Sequence, residues 1–179
     1  MKTGYGYKLF EMDTFGRLYP LFINKNKETK IGEWIPAEFV PTRGFAARGG
    51  WHLGMDIPDA PWLRGYDGSN LGPYKGRNKG WKRVWCLCEY DATNDYREEV
   101  LNLPGKYMKD KVPENGFYWF KEGSRGTWII TSAIRVVRVL DEKERQEILK
   151  RNGYDEVVAY ARYKAAFEKR MLCKCSQNS

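Results

Sequence analysis

Apolar and polar positions alternate through residues 5–12 and again through 17–24, and this period of two predicts a pair of strands. Asp13-Thr14-Phe15-Gly16 lies between them as a turn, with Gly16 able to take the positive-φ position. Residues 24–30 are polar and read as another turn. Residues 31–40 predict a short extended segment ending at Pro41, which cannot donate to a central ladder. A further strand is expected over 45–53. Pro58 and Pro61 then limit 57–63 to one helical turn at most. Residues 65–80, rich in Gly, Asn and Asp, form a loop that is long for a compact domain, and such loops are usually functional or disordered.

Residues 81–90 predict a strand with two unlike faces. One carries Trp81, Arg83, Trp85, Leu87 and Glu89, the other Lys82, Val84, Cys86, Cys88 and Tyr90. A short helix is expected over 95–103, a turn over 113–116 and a strand over 117–121. The longest β-branched apolar stretch, 127–140, reads as one central strand. The period then changes. Asp141 followed by Glu144 is capping-box-like, and the helix it starts runs to about Asn152, with Gly153 in the C′ role. Asp155 caps a second helix through about Leu172, with an apolar stripe of Val157, Tyr160, Ala161, Phe167 and Met171. The sum is an α+β fold: an antiparallel, curved or partly closed sheet followed by two C-terminal helices. It is expected to be a single domain overall, with a mostly-β core over 1–140 and the helical pair of 141–179 packed on it.

Composition supports a folded chain, since 42% of the 179 residues are hydrophobic. Charged residues interrupt every apolar run before it reaches membrane-spanning length, and the first residues lack the apolar core of a secretory signal. The expected setting is therefore the cytosol, with no membrane partner. Seven Trp and twelve Tyr are a high aromatic load, and such rings fill cores or line binding surfaces. The net charge of +8 favours a polyanionic partner, although the excess is spread thinly along the chain. One segment stands apart. Between Gly68 and Cys88 no acidic residue occurs, while Lys75, Arg77, Lys79, Lys82 and Arg83 alternate with Tyr74, Trp81 and Trp85. Phosphate-seeking charge interleaved with stacking rings suits single-stranded nucleic acid or an RNA-containing complex. A solvated loop leading into a core strand explains the same residues equally well.

His52 is the sole histidine, set in Arg48-Gly49-Gly50-Trp51-His52-Leu53-Gly54. A histidine flanked by glycines can serve as an acid, a base or a ligand-positioning donor, or it can be a structural side chain bonded to a nearby loop. Strand geometry sends Trp51 to the face opposite His52 and places Arg48 on the face of His52. The cysteines form two C-x-C pairs, Cys86/Cys88 and Cys173/Cys175. That spacing is atypical for zinc and the second pair is terminal, so reduced thiols without metal are expected. No nucleotide-binding or metalloprotease fingerprint occurs, and no cofactor is expected.

Four pieces carry a resemblance. They are Tyr7-Lys8-Leu9-Phe10 with Leu18-Tyr19-Pro20-Leu21-Phe22, Gly44-Phe45-Ala46 with Gly50-Trp51-His52, Val84-Trp85 through Glu89-Tyr90, and Gly116-Phe117-Tyr118 with Trp128-Ile129-Ile130 and Val136 to Leu140. Through them the chain resembles a group of uncharacterised proteins encoded by phages and mobile elements of gut bacteria. Members often have Pro before Gly-Trp-His, where this chain has Gly49. The resemblance implies an accessory protein in the cytosol of a bacterial host. Such proteins often counter host defence, including by inhibiting CRISPR effector nucleases. The expected function is thus binding of DNA, RNA or a host nucleoprotein, or of a host defence protein, through Tyr74, Lys75, Arg77, Lys79, Trp81, Lys82 and Arg83. A strand with Gly, an aromatic and His, then a short Asp/Pro/Ala helix and a strand ending in Glu, is also similar at fold level to phage proteins of ADP-ribosyltransferase-like type. The alternative is therefore an enzyme of that kind, or of nuclease type, using His52 and Arg48.

Overall fold

The computed structural model describes residues 1–39, 49–63, 76–102, 112–121 and 126–176. Strand β1 (Thr3–Met12) pairs antiparallel along its length with β5 (Lys82–Asp91), from Thr3↔Asp91 to Met12↔Lys82. Its other edge takes β2 (Leu18–Tyr19) at Glu11 and Met12, and β4 (Trp51–Gly54) at Tyr7. On one side β5 pairs with β9 (Ala133–Val139), which holds β3 (Trp34–Pro36) at the sheet edge. On the other, β4 pairs with β8 (Thr127–Thr131), then β7 (Gly116–Lys121), and β6 (Asn94–Asp95) joins β7 in parallel. The nine strands make one mostly antiparallel, open sheet ordered β3-β9-β5-β1-β4-β8-β7-β6, with β2 on β1.

The stretch 127–140 corrects the expectation of one central strand. Ser132 divides it, and the halves lie far apart in the sheet order, with β5, β1 and β4 between them. Only a strongly curled sheet lets consecutive residues occupy both places, so Ser132 is the corner of the curl. Hydrogen bonds fix that corner. Ser132 exchanges bonds with Gly116, its Oγ also donates to Asp91 Oδ2 at 3.2 Å, and Thr131 Oγ1 donates to the Asp91 carbonyl at 3.1 Å. The second expected strand, 17–24, shrinks to Leu18–Tyr19, because Pro20 has no amide to donate.

Both faces of the sheet are covered. Inside the curl, Phe10, Leu53, Cys86, Cys88, Ile129 and Val136 pack together. On the outer face Leu9, Trp85 and Leu140 pack against Ile148 of helix α2 (Glu142–Arg151). A third cluster joins Val100 of α1 (Arg97–Asn102) to Tyr118 and Ile130. The two faces of β5 are those read from its alternation.

Asp141 caps α2 as expected, accepting from the Glu144 amide at 2.8 Å, and Gly153 takes a φ of 62° beyond its end. Helix α3 (Glu156–Ser176) starts at Asp155, whose carboxylate accepts from Val157 and Val158. Buried Arg145 joins the helical pair to the chain near Pro58, bonding Asp59, Glu142 and Glu156, while Tyr154 donates to Asp59 at 2.8 Å. Tyr160 is buried, but Val157, expected in the apolar stripe, is exposed. Among the described residues no helix is long and apolar enough to cross a membrane.

Candidate nucleic-acid interface

The basic aromatic segment gains its shape from a residue far away in sequence. Register places Tyr19, Glu11 and Arg83 in one row across β2, β1 and β5. The Glu11 carboxylate, in a residue only 1% exposed, accepts from the Arg77 backbone amide at 3.1 Å. It also pairs with Arg77 Nε at 3.0 Å and Arg83 Nε at 3.4 Å. Arg83 Nη1 donates to the Leu63 carbonyl at 2.9 Å, and Arg77 Nη2 donates to the Lys25 carbonyl. A buried carboxylate between two guanidiniums satisfies the requirement that buried charge be paired. It also anchors the turn 76–81, where Gly80 adopts a φ of 82° that would strain other residues.

The turn lays Trp81 on Tyr19, with ring centroids 5.0 Å apart and planes inclined by 24°. The Arg77 guanidinium lies 5.0 Å from the Trp81 ring and 5.9 Å from that of Tyr19. Lys79 lies in this turn and is exposed, whereas Lys82, the next residue after Trp81, is exposed on the opposite face of the sheet, opposite Met12; neither is ion-paired among the described residues. Gly80 meets Thr14, so the β1–β2 turn closes one side of the patch. There Phe15 is exposed, with Arg17 5.2 Å over its ring, and Arg17 Nε is held by Asp13 at 2.7 Å.

Of the expected contact residues, then, Arg77, Lys79, Trp81 and Arg83 share one surface region, but not one role, while Lys82 falls on the other face of β5. The two arginines are tied to Glu11, and Lys79 is free to meet a phosphate. Tyr74, Lys75 and Arg48 lie outside the described residues. Tyr19 and Glu11 escaped sequence reading because they join the segment only through non-local β pairing.

His52 stands on the face opposite Trp51 and Leu53, as strand alternation requires. Its register partner is Ile130, so it borders the cluster of Val100 and Tyr118. The enzyme alternative needs Arg48 beside it. Cys86 and Cys88 are buried inside the curl, and burial pushes both thiols up, Cys88 to about 12. Among the described residues no group of three His, Cys, Asp or Glu gathers as a metal ion would need.

A second unforeseen residue is Lys8, which shares the inward face of β1 with Phe10 and lies opposite Cys86. Its Nζ donates to the His52 carbonyl at 3.0 Å and lies 5.1 Å from the Trp51 ring and 5.8 Å from that of Phe10. Burial brings its ammonium down to about 8, against the opposing influence of Cys88 and Cys86. The only sequence signal was its parity with Phe10 in an otherwise apolar alternation. Trp51 also lines a cleft of about 370 Å³ between the 24–30 turn and β3, together with Pro20, Ile23, Trp34 and Pro36.

Compared with protein-family models, curated proteins and solved structures, the chain matches none.

Proposed function

We propose that this protein binds single-stranded nucleic acid, free or within a host nucleoprotein, as an accessory protein of a phage or mobile element. Its target on this reading is a defence complex such as a CRISPR effector nuclease. The observation that carries the proposal is the Tyr19–Trp81 stack with Arg77 beside it and the free, exposed Lys79 in the same turn. Aromatic faces stack on any base, and cations around them follow the backbone, so the arrangement favours strand binding with little sequence preference. The anchoring of Arg77 and Arg83 by Glu11 holds the stack in place before a ligand arrives, which lowers the ordering cost of binding.

Fluorescence anisotropy of labelled oligo-dT and oligo-rU over a salt titration tests this. Replacing Lys79 by Ala should lower the slope of log affinity against log salt by about 0.7, the contribution of one phosphate neutralised on a single strand. Trp81→Ala should weaken binding by about 1–3 kcal/mol, the usual worth of one base stacked on a ring. If the parent binds neither oligonucleotide at low salt, or the lysine variant keeps the parent's slope, the patch is only solvated surface.

A further inference from the structure

We infer, resting on the nucleic-acid reading of this patch, that Phe15 at the tip of the β1–β2 turn is a second base platform. It stacks one base of a single strand while the Tyr19–Trp81 stack holds another.

An exposed phenylalanine at a turn is by itself ordinary. Phe15, 83% exposed, differs in how it is held. The Asp13 carboxylate, in a residue only 5% exposed, accepts from the Phe15 amide at 2.9 Å, the Arg17 amide at 2.9 Å and Arg17 Nε at 2.7 Å. The Asp13 amide donates to the Arg17 carbonyl at 3.0 Å, and the Gly16 amide donates to the Asp13 carbonyl at 3.1 Å. Backbone and side chain both tie the turn, so a ligand has little left to order there. The Arg17 guanidinium lies 5.2 Å from the Phe15 ring, which makes cation and ring one unit.

Strand pairing sets this unit beside the stack. Glu11 lies between Tyr19 and Arg83 across the sheet. Two residues further along β1, on the same face, Asp13 has Arg17 on one side. The ladder with β5 ends at Met12↔Lys82, so the next position on its other side is Trp81. The backbones of Arg17 and Trp81 are thus two strand spacings apart, about 10 Å. Gly80 brings the two turns into contact, because a Cβ there would come within 3.0 Å of Thr14 Cγ2. The two units also share a construction. Each is a ring with a guanidinium beside it, and each guanidinium is paired with a buried carboxylate: Arg17 with Asp13, and Arg77 with Glu11.

A single strand has the matching repeat. Every nucleotide offers a π face, and a phosphate lies between successive bases. The two rings take two bases, and Arg17, whose side chain is 49% exposed, meets a phosphate between them. A duplex keeps its bases stacked on each other and has no free faces for the rings, so the pair of platforms selects single strands.

Fluorescence anisotropy at low salt tests this with a labelled oligo-dT of about eight nucleotides, within the usual span of single-strand sites. Leu keeps the apolar bulk of Phe and loses the π face. Phe15→Leu should therefore weaken binding about fivefold or more, the lower end of the worth of one stacked base. Phe15→Trp widens the face and should bind at least as tightly as the parent. Because the platforms take different bases, the factors lost in Phe15→Leu and Trp81→Ala should multiply in the double variant. Full affinity in Phe15→Leu overturns the inference. So does a loss in Phe15→Trp equal to that in Phe15→Leu, or a double variant no weaker than Trp81→Ala alone. All three results leave binding by the parent, and with it the nucleic-acid reading, intact. A parent that binds no oligo-dT sinks both.

Discussion

Two regions of β1, three residues apart, treat a positive charge in opposite ways. At Glu11 the sheet buries a carboxylate and draws Arg77 and Arg83 onto it, so the cations are paired and point outward around an aromatic stack. At Lys8 the sheet places a cation on its inner face with a carbonyl and two rings and, among the described residues, no carboxylate. In the first region the charge is retained and organises a surface. In the second the proton itself becomes weakly held. Coulomb pairing and desolvation are both strong in a low-dielectric interior, and a counter-ion in the row decides which dominates.

The largest expected effect breaks the first region. Glu11→Ala leaves two guanidiniums facing each other over a buried void and should cost about 3 kcal/mol, since removing one partner of a buried pair exposes an uncompensated charge. Both arginines keep some access to water, with side chains 24% and 26% exposed, which places the value at the lower end of that range. Urea denaturation measures it, and an unchanged midpoint would show that the arginines find solvent without Glu11.

Lys8→Met tests the second region, with the opposite sign. The folded protein holds the Lys8 proton more weakly than the unfolded chain, about 8 against 10.5. Between those values the unfolded chain binds more protons, so this residue makes stability rise with pH. The full penalty applies below pH 8 and is gone above 10.5. Lys8→Met should therefore exceed the parent in stability most at pH 7, by at most about 3 kcal/mol, with the gap closing towards pH 10.5. The raised thiols act in the other direction, because above their unfolded values the folded state keeps protons that the unfolded chain has lost. The difference between the two proteins, rather than either curve alone, reads Lys8, and a gap constant with pH would sink the account.

The smallest effect marks where neither rule applies. Lys30 and Glu33 form an ion pair with both side chains 64% exposed. Lys30→Ala should change stability by less than about 0.5 kcal/mol, as solvent screens such pairs. A larger loss on thermal melting would mean that this turn contributes more than its exposed charges do.

The sequence alone determined what depends on neighbours within a few residues. Alternation set the two faces of β5, and Asp141, Gly153 and Asp155 marked the helix ends, since caps and strand parity are local geometry. The acid-free run from Gly68 to Cys88 was legible as composition, and so was the opposition of Trp51 to His52. Tertiary structure alone decided the roles. Glu11 meets Arg83 across 72 positions of chain, Trp81 finds Tyr19, and Lys8 finds the carbonyl of His52, all through pairings of β1 that no local period encodes. The break at Ser132 was hidden for the same reason. The β-branched run reads as one strand until the curl of the whole sheet requires its halves to serve opposite sides.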